Sequence, residues 1–295
     1  MVAFNSFRSR QVTNPRDQVY ALVGLGPGLS VDYTLSTDQV SHSSFRQLID
    51  NSSRLDCIIR ANEVNRSPNL PSWIPDLTAK CRRQDTSWIG IYEAFNANAH
   101  VQASLREISS PFSDEIELTG CQIDRIIAVG RPYFVSEQPP VFDWQDTMTR
   151  QCSIFGEHYP LGGTYESAFW TTIMAGAIPD QNTGGHRRAT SDDNAEIQRT
   201  WHKRNIAERS LWLDTVFFVT ERGFIGLGSL DTEARDYVFV LDGGRMPFIL
   251  RGEGAHSGDP SFSEGWFSYV GRAYVHAIMD GEVSNGKWER TSVVI

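Results

Sequence analysis

The chain has 295 residues, enough for one large domain or two small ones. Its 36 acidic side chains outnumber 27 basic ones, and the net charge of −9 argues against nucleic acid as the main partner, because phosphate binding needs a basic face. Apolar residues make up 40% of the chain, as in ordinary globular proteins, and no apolar run approaches the roughly 20 residues of a membrane-spanning helix. We therefore expect a cytoplasmic protein that binds neither nucleic acid nor membrane. The cysteines are widely spaced, a pattern typical of reduced thiols rather than of a disulfide framework: Cys57, Cys81, Cys121 and Cys152.

The first predicted element is a short helix in residues 14–25, which read NPRDQVYALVGL. Asn14 can cap free backbone N–H groups, and Pro15 suits the first helical position, where its missing donor costs nothing. Asp17 places negative charge at the positive end of the helix dipole, and Gly24 favours a left-handed stop.

A second helix is predicted to be capped by Ser36 or Thr37. Its apolar face would carry Val40, Phe45, Leu48 and Ile49. Residues 55–59 are either a helical turn or a buried strand. A proline-rich loop follows at residues 65–76, in which Trp73 is expected to anchor into the core.

The middle of the chain first shows strand patterns, with apolar residues alternating on either side of Gly120, which suits a strand with a bulge. Residues 131–150 are predicted to be a proline-rich connector, and residues 164–175 a helix. Residues 178–194 have the composition of a loop, and a charged helix is predicted over roughly residues 192–209.

The C-terminal part is predicted to be rich in strands. Hairpins are expected over residues 216–227 and 237–250, each with a tight glycine-containing turn, followed by a long strand over residues 269–279. The strands near residues 100–130 are expected to join this sheet, and the helices of residues 150–209 to pack outside it. The predicted fold class is therefore α+β, with N-terminal helices and a small antiparallel β barrel or sandwich that has helices packed outside.

Six motifs, in this order, resemble fungal heterokaryon-incompatibility (HET) proteins. Near the N-terminus they are PRDQVYALVGL, VDYTLS and LPSWIPD; near the C-terminus they are FFVTERGFIGLG, DYVFVLDGGRMPFILR and YVGRAYVHAIMDGE. The resemblance spans residues 8–282, with weak matching between residues 80 and 205. It covers the region that follows the HET domain in that family.

The segments typical of the HET domain itself, similar to SYxWG and WIDxxCINQ, do not occur in this sequence. The chain therefore resembles the C-terminal half of such a protein, lacking the HET domain, either as a stand-alone variant or as a truncated gene product. We expect residues 1–80 to be a helical segment that would follow a HET domain, and residues 81–295 to be an α+β domain whose part 210–295 is β-rich. Two positions depart from the family pattern: Leu77 replaces a frequent second Trp, and Ala277 replaces a usual Gly, which removes backbone freedom.

Two motifs invite a ligand-binding interpretation. Gly24, Gly26 and Gly28 are spaced like a phosphate-binding loop, but a helix precedes them where that loop needs a strand, so a helix stop and turn is favoured. The basic residues at 184–188 could grip a phosphate or an acidic partner. The carboxylates at 192–193 would neutralise them, and a solvated loop is favoured.

His276, Asp280 and Glu282 are predicted to share one face of a strand. Such a group could bind a metal or move protons, but a metal site needs three convergent ligands, and a structural or half-exposed histidine is favoured. The resemblance also implies a packing role. No serine or cysteine lies in an elbow-like turn with partners that can be assigned, so no catalytic, cofactor-binding or metal-binding residue is predicted.

Arg16 leaves two interpretations open. It is either a surface group, or it pairs with a carboxylate such as Asp32 or Asp76 and ties three loops together. Asp17 serves as a charge at the helix N-terminus. The residues predicted to have structural or interaction roles are Arg16, Asp17, Tyr20, Asp32, Tyr33, Trp73, Asp76, His276, Asp280 and Glu282.

The resemblance implies a regulatory or interaction region of a HET-type allorecognition protein, without catalysis. In that family the N-terminal domain resembles Toll/interleukin-receptor-like folds and is thought to trigger programmed cell death, which the C-terminal region would hold, sense or restrain. The partner would be a protein: a HET domain in trans, or a second copy of the chain. The alternative is a biosynthetic tailoring or cyclisation enzyme with an aromatic-lined pocket. A third hypothesis is a non-functional remnant that aggregates or dimerises when expressed alone.

Overall fold

The computed structural model describes most of the chain. The described residues are 12–21, 31–58, 66–76, 89–107, 114–133, 140–180, 182, 185–200, 215–252 and 265–295. Five predicted features lie outside them: the helix stop at Gly24, the glycine turn that follows it, Leu77, Cys81, and the charged helix beyond residue 200.

The described helices are mostly short. They are α1 (Asp17–Tyr20), α2 (Thr37–Ser52), α3 (Ile89–Tyr92), α4 (Val141–Cys152), α5 (Tyr165–Thr172) and α6 (Asn194–Thr200). Ser36 caps α2, as one of the two predicted alternatives had it: its hydroxyl accepts the N–H of Gln39, whose side chain in turn accepts the N–H of Ser36. Residues 55–58 form a turn rather than a strand.

The strands are β1 (Arg106–Glu107), β2 (Ile116–Val129), β3 (Ala177–Pro179), β4 (His186–Arg188), β5 (Thr215–Thr220), β6 (Ile225–Ser229), β7 (Tyr237–Leu241), β8 (Phe248–Gly252), β9 (Phe267–Val275) and β10 (Arg290–Val294). Within the described residues the main sheet closes on itself in the order β2, β5, β6, β9, β8, β7 and back to β2. Every pairing in this ring is antiparallel. The predicted α+β class is confirmed, and the strand that precedes residue 130 does join the C-terminal sheet.

Strand β2 is long enough to pair with several partners in succession. Its first half pairs with β10 on one edge and its middle with β7, while its last residues pair with β5. A Cβ at Gly120 would lie 2.4 Å from the carbonyl oxygen of Val240, so glycine permits the close approach of β7. The predicted bulge at Gly120 is wrong: the register shifts lie between Gln122 and Asp124 and between Ile126 and Ala128.

Alternation along β7 and β8 separates two apolar clusters. Val238, Val240 and Ile249 belong to one cluster, whereas Phe239 and Phe248 belong to the other. Because side chains of a strand alternate between faces, the sheet buries both of its faces here. The second face is covered by residues of the N-terminal segment (the described parts of residues 12–76), which contributes Val19, Val40, Phe45, Ile49, Leu55 and Trp73.

Two helices cover another part of the ring from outside. Trp144 of α4 stacks on Phe217 of β5 at 6.2 Å between ring centroids, and Phe169 of α5 meets the same ring edge-on at 5.8 Å. Helices thus pack against the sheet, as the sequence predicts. The connector predicted over residues 131–150 is corrected, because α4 occupies its second half. The predicted loop over residues 178–194 instead contains the two-stranded β3–β4 sheet.

Candidate functional site

The N-terminal motifs meet at a junction organised by Arg16. Its guanidinium donates to the carbonyl oxygens of Tyr33 at 2.8 Å and Leu35 at 2.6 Å, and it lies 5.5 Å from the centre of the Tyr33 ring. Asn14 accepts both the backbone N–H and the Nε–H of Arg16. Arg16 therefore ties two motifs together, but in the described residues its partners are carbonyl oxygens rather than the carboxylate considered from the sequence.

Tyrosine hydroxyls complete this junction. Tyr20 donates to the carbonyl oxygen of Asp32 at 2.6 Å, and Tyr33 donates to Asp17 at 2.6 Å, a bond that raises the pKa of Tyr33. The two rings meet edge-on at 5.1 Å. Asp32 accepts the hydroxyl and the N–H of Thr34, which lowers the pKa of Asp32. The structure thus brings Arg16, Asp17, Tyr20, Asp32 and Tyr33 into one cluster.

Trp73 and Asp76 belong to a different place, the proline-rich loop. Trp73 is fully buried and donates its Nε1–H to the carbonyl oxygen of Asp114 at 2.9 Å, so the predicted anchor is present. Asp76 is also fully buried and accepts the N–H of Ser67 at 2.7 Å. Ser72 of the same loop accepts the N–H of Tyr269 in β9 at 2.8 Å, which fixes the loop to the ring.

The β7–β8 connection forms a docking turn, residues 242–246, where distant segments converge. Gly243 accepts the N–H of Leu55 at 3.0 Å and donates to the carbonyl oxygen of Val101 at 2.8 Å. Arg245 donates to the carbonyl oxygen of Glu93 at 3.1 Å, and Asp242 donates its N–H to Thr119 at 2.9 Å. Residues 242–245, the DGGR of the motif DYVFVLDGGRMPFILR, therefore hold the N-terminal segment and residues 93–101 against the sheet.

At Gly243 the fit is tight. Its φ is +80°, and a Cβ would lie 2.5 Å from the Cβ of Ala103 and 3.0 Å from the carbonyl oxygen of Ser53. Glycine is required here for both the backbone conformation and the close approach.

The strand predicted over residues 269–279 ends at Val275, so the predicted common face of His276, Asp280 and Glu282 is wrong. His276 lies in a turn, where its carbonyl accepts the Tyr159 hydroxyl at 2.9 Å and its ring meets the Tyr159 ring at 5.0 Å. Asp280 instead pairs with Arg188 at 2.8 Å, and Glu282 accepts the N–H of Asp280 at 2.7 Å. Burial, and then the charge of Arg188, lowers the pKa of His276 to about 4.

The two arginines of this basic segment, Arg187 and Arg188, are committed to internal partners. Arg187 makes a two-pronged ion pair with Asp193, at 2.9 and 2.6 Å, which lowers the pKa of that carboxyl. Arg188 combines its bond to Asp280 with a position 4.5 Å from the centre of the Phe95 ring. The structure therefore agrees with the interpretation in which the carboxylates at residues 192–193 neutralise the basic segment, through the pair of Arg187 with Asp193.

The thiols described are buried. Burial raises the pKa of Cys57 to about 12 and that of Cys152 to about 11, so both remain protonated at neutral pH. Among the described residues, no three His, Cys, Asp or Glu side chains come together as metal ligands. In the same part of the chain, no helix has the length and apolar character needed to cross a membrane.

Several residues at these sites could not be recognised from the sequence. Arg188 and Tyr159 are far from His276 along the chain, and only the fold brings them together. Gly243 and Arg245 stand in a quoted motif, but their docking partners near Ser53 and Glu93 have no sequence signature. Only the short span between Asn14 and Leu35 gives a local hint that residues of two motifs meet.

Residues 200–294 match the Het-6 beta-barrel domain. The matched range contains β5 to β10, while the remaining strand of the ring, β2, precedes it. No curated protein and no solved structure matches the chain. The C-terminal part of this chain is thus similar to the Het-6 beta-barrel domain, which supports a relation to heterokaryon-incompatibility proteins.

Proposed function

We propose that this chain is the regulatory and interaction region of a heterokaryon-incompatibility-type protein, acting in fungal allorecognition and cell death. Its partner is a HET domain, bound in trans. The observation that carries the proposal is that residues of the first two N-terminal motifs bind each other. Arg16, Tyr20 and Tyr33 bond to one another's segments rather than forming a reactive group, and they build a rigid surface element.

This junction also presents an accessible apolar surface. Val31 is 52% exposed and Tyr33 is 54% exposed, next to the carbonyl groups of Asp32 and Tyr33 that accept from Tyr20 and Arg16. Exposed apolar side chains on a preordered backbone are suited to protein binding, because little conformational entropy is lost on association. In the HET family that the sequence resembles, the HET domain precedes this region in the chain, and this supports the choice of the junction as the surface to test.

Binding of a purified HET-domain fragment, measured by biolayer interferometry, tests the proposal. We expect Val31→Asp to weaken binding at least about tenfold, because it puts a charge into the contact surface. Ile154→Asp is the matched control: Ile154 is 79% exposed and lies beyond α4. We expect that variant to bind like the unmodified chain.

Absence of binding by the unmodified chain would contradict the proposal, and so would equal weakening by the two variants. Light scattering on the same samples measures their molar mass, and so distinguishes self-association of the chain from binding of a HET domain. A concentration-dependent dimer that Val31→Asp dissociates would show a second copy, rather than a HET domain, to be the partner.

A further inference from the structure

The turn that leads into β10 contains the only Asn–Gly pair of the sequence, Asn285–Gly286. Asn285 ends a short 3-10 helix (Glu282–Asn285), and both Asn285 and Gly286 are exposed. Gly286 has a φ of +78°, and a Cβ built on it would meet no heavy atom of the described residues within 4 Å. The peptide unit between the two residues is therefore accessible to water, and no side chain on Gly286 restricts it.

The side chain of Asn285 bends back onto the backbone that follows it. Its Oδ1 accepts the backbone N–H of Lys287 at 3.0 Å, the hydrogen bond of an Asx turn. This bond keeps the carboxamide beside the peptide nitrogen of Gly286, which lies between the two bonded groups in the chain. It also gives an N–H donor to the oxygen that gains negative charge when a nucleophile adds to Cγ. The turn thus brings an electrophilic carbon and a backbone nitrogen together.

We propose that Asn285 is a site of spontaneous deamidation, with water as the only co-reactant. The backbone nitrogen of Gly286 loses its proton to the solvent and adds to Cγ of Asn285, forming an N–Cγ bond. The Cγ–Nδ2 bond then breaks, and Nδ2 takes up a proton from water and leaves as ammonia, so that a succinimide ring remains. Water opens this ring at either of its carbonyl carbons, which gives aspartate or isoaspartate at position 285. No atom is oxidised or reduced in these steps.

The products change the chain just before a buried anchor, Trp288. Its ring lies 5.8 Å from the ring of Phe224, which precedes β6, and the guanidinium of Arg222 lies 4.5 Å from its centre. Aspartate only adds a negative charge, whereas isoaspartate carries the backbone through the side chain and lengthens it by one carbon atom. The isoaspartate form therefore displaces Trp288 from its contacts with β5 and β6. The reaction is independent of a HET-domain partner, because it needs only this chain and water.

Mass spectrometry of digests, sampled while the folded chain is incubated in mildly alkaline buffer, tests the proposal. We expect the peptide that contains Asn285 to gain about 1 Da, because a hydroxyl replaces the amino group of the carboxamide. The rate should rise with pH, since the attacking nitrogen must lose its proton. The peptide with Asn194 is an internal control that should keep its mass: Asn194 precedes an alanine, and its amide donates to the hydroxyl oxygen of Ser167 at 2.7 Å.

Gly286→Ala should slow the gain in mass about tenfold or more, because a Cβ shields the peptide nitrogen and restricts the backbone. Enzymatic methylation of isoaspartyl carboxylates with labelled S-adenosylmethionine identifies the second product, and we expect more label in the aged unmodified chain than in aged Gly286→Ala. The proposal is overturned if the unmodified chain gains no mass at Asn285, if Gly286→Ala reacts as fast, or if Asn194 reacts equally. A gain in mass without methyl label would show direct hydrolysis of the side chain and would overturn the succinimide route.

Discussion

Ala277 shows how a single residue can carry backbone strain. Its φ is +60°, in the left-handed region, where a residue with a Cβ pays about 1–2 kcal/mol and glycine does not. A glycine, which the resemblance to HET proteins implies at this position, would avoid that cost. The alanine at position 277 therefore lowers the free energy of unfolding of the protein.

We predict that Ala277→Gly stabilises the protein by about 0.5 kcal/mol, because relief of strain exceeds the extra entropy of glycine in the unfolded chain. Urea unfolding measures this difference. Ala273→Gly is the control, since Ala273 is buried in β9 and is not among the residues with positive φ. That change should destabilise, and a destabilising Ala277→Gly would contradict the strain interpretation.

His276 also makes stability depend on pH. Its pKa falls from 6.5 to about 4 on folding, so the unfolded chain binds more protons between these values and stability drops as the pH falls through that window. The full loss is on the order of 3 kcal/mol, reached below pH 4. Urea unfolding at pH 7 and pH 4.5 should show a smaller loss for His276→Gln than for the unmodified chain. An equal loss in both proteins would exclude His276 as its source.

At the scale of elements, Ser36 gives the sharpest test of a local signal. Its capping box starts α2, the longest described helix. We expect Ser36→Ala to cost about 1 kcal/mol, because the N–H of Gln39 loses its acceptor. Ser43→Ala, an exposed change inside the same helix, should cost almost nothing in urea unfolding. Similar losses for the two variants would argue against the cap.

Elements with local signals could be predicted from the sequence, and those shaped by distant partners could not. The α2 cap and the glycine turns of the β5–β6 and β7–β8 hairpins are local, and the structure has all of them. The segment that contains α4 carries prolines that favour a connector, yet Trp144 and Phe217 make a helix stable there. The sequence predicts a bulge at Gly120 because glycine weakens a strand, but in the structure this glycine instead allows the carbonyl oxygen of Val240 to approach closely.

At the scale of the molecule, the docking turn decides how the N-terminal segment sits on the ring. The α+β class follows from element patterns, but nothing in the sequence pairs Gly243 with Ser53 and Ala103, because such contacts arise only when the chain is folded. The same holds for Arg188 and His276. The Arg16 junction was partly accessible to sequence reasoning, since its motifs are close along the chain.

Gly243→Ala and Gly286→Ala form a matched pair for this contact. Gly243 has φ of +80° and Gly286 φ of +78°, but a Cβ at Gly286 would meet nothing within 4 Å. We expect Gly286→Ala to cost about 1 kcal/mol, the strain alone. Gly243→Ala should cost at least about 2 kcal/mol more, because Ala103 and Ser53 must also move.

Hydrogen exchange of Gly243→Ala is the most direct test that the motifs hold the N-terminal segment on the ring. We predict lost protection in residues 37–58, with protection of β5 and β6 retained and no such loss in Gly286→Ala. Unchanged protection of residues 37–58 in Gly243→Ala would contradict this account.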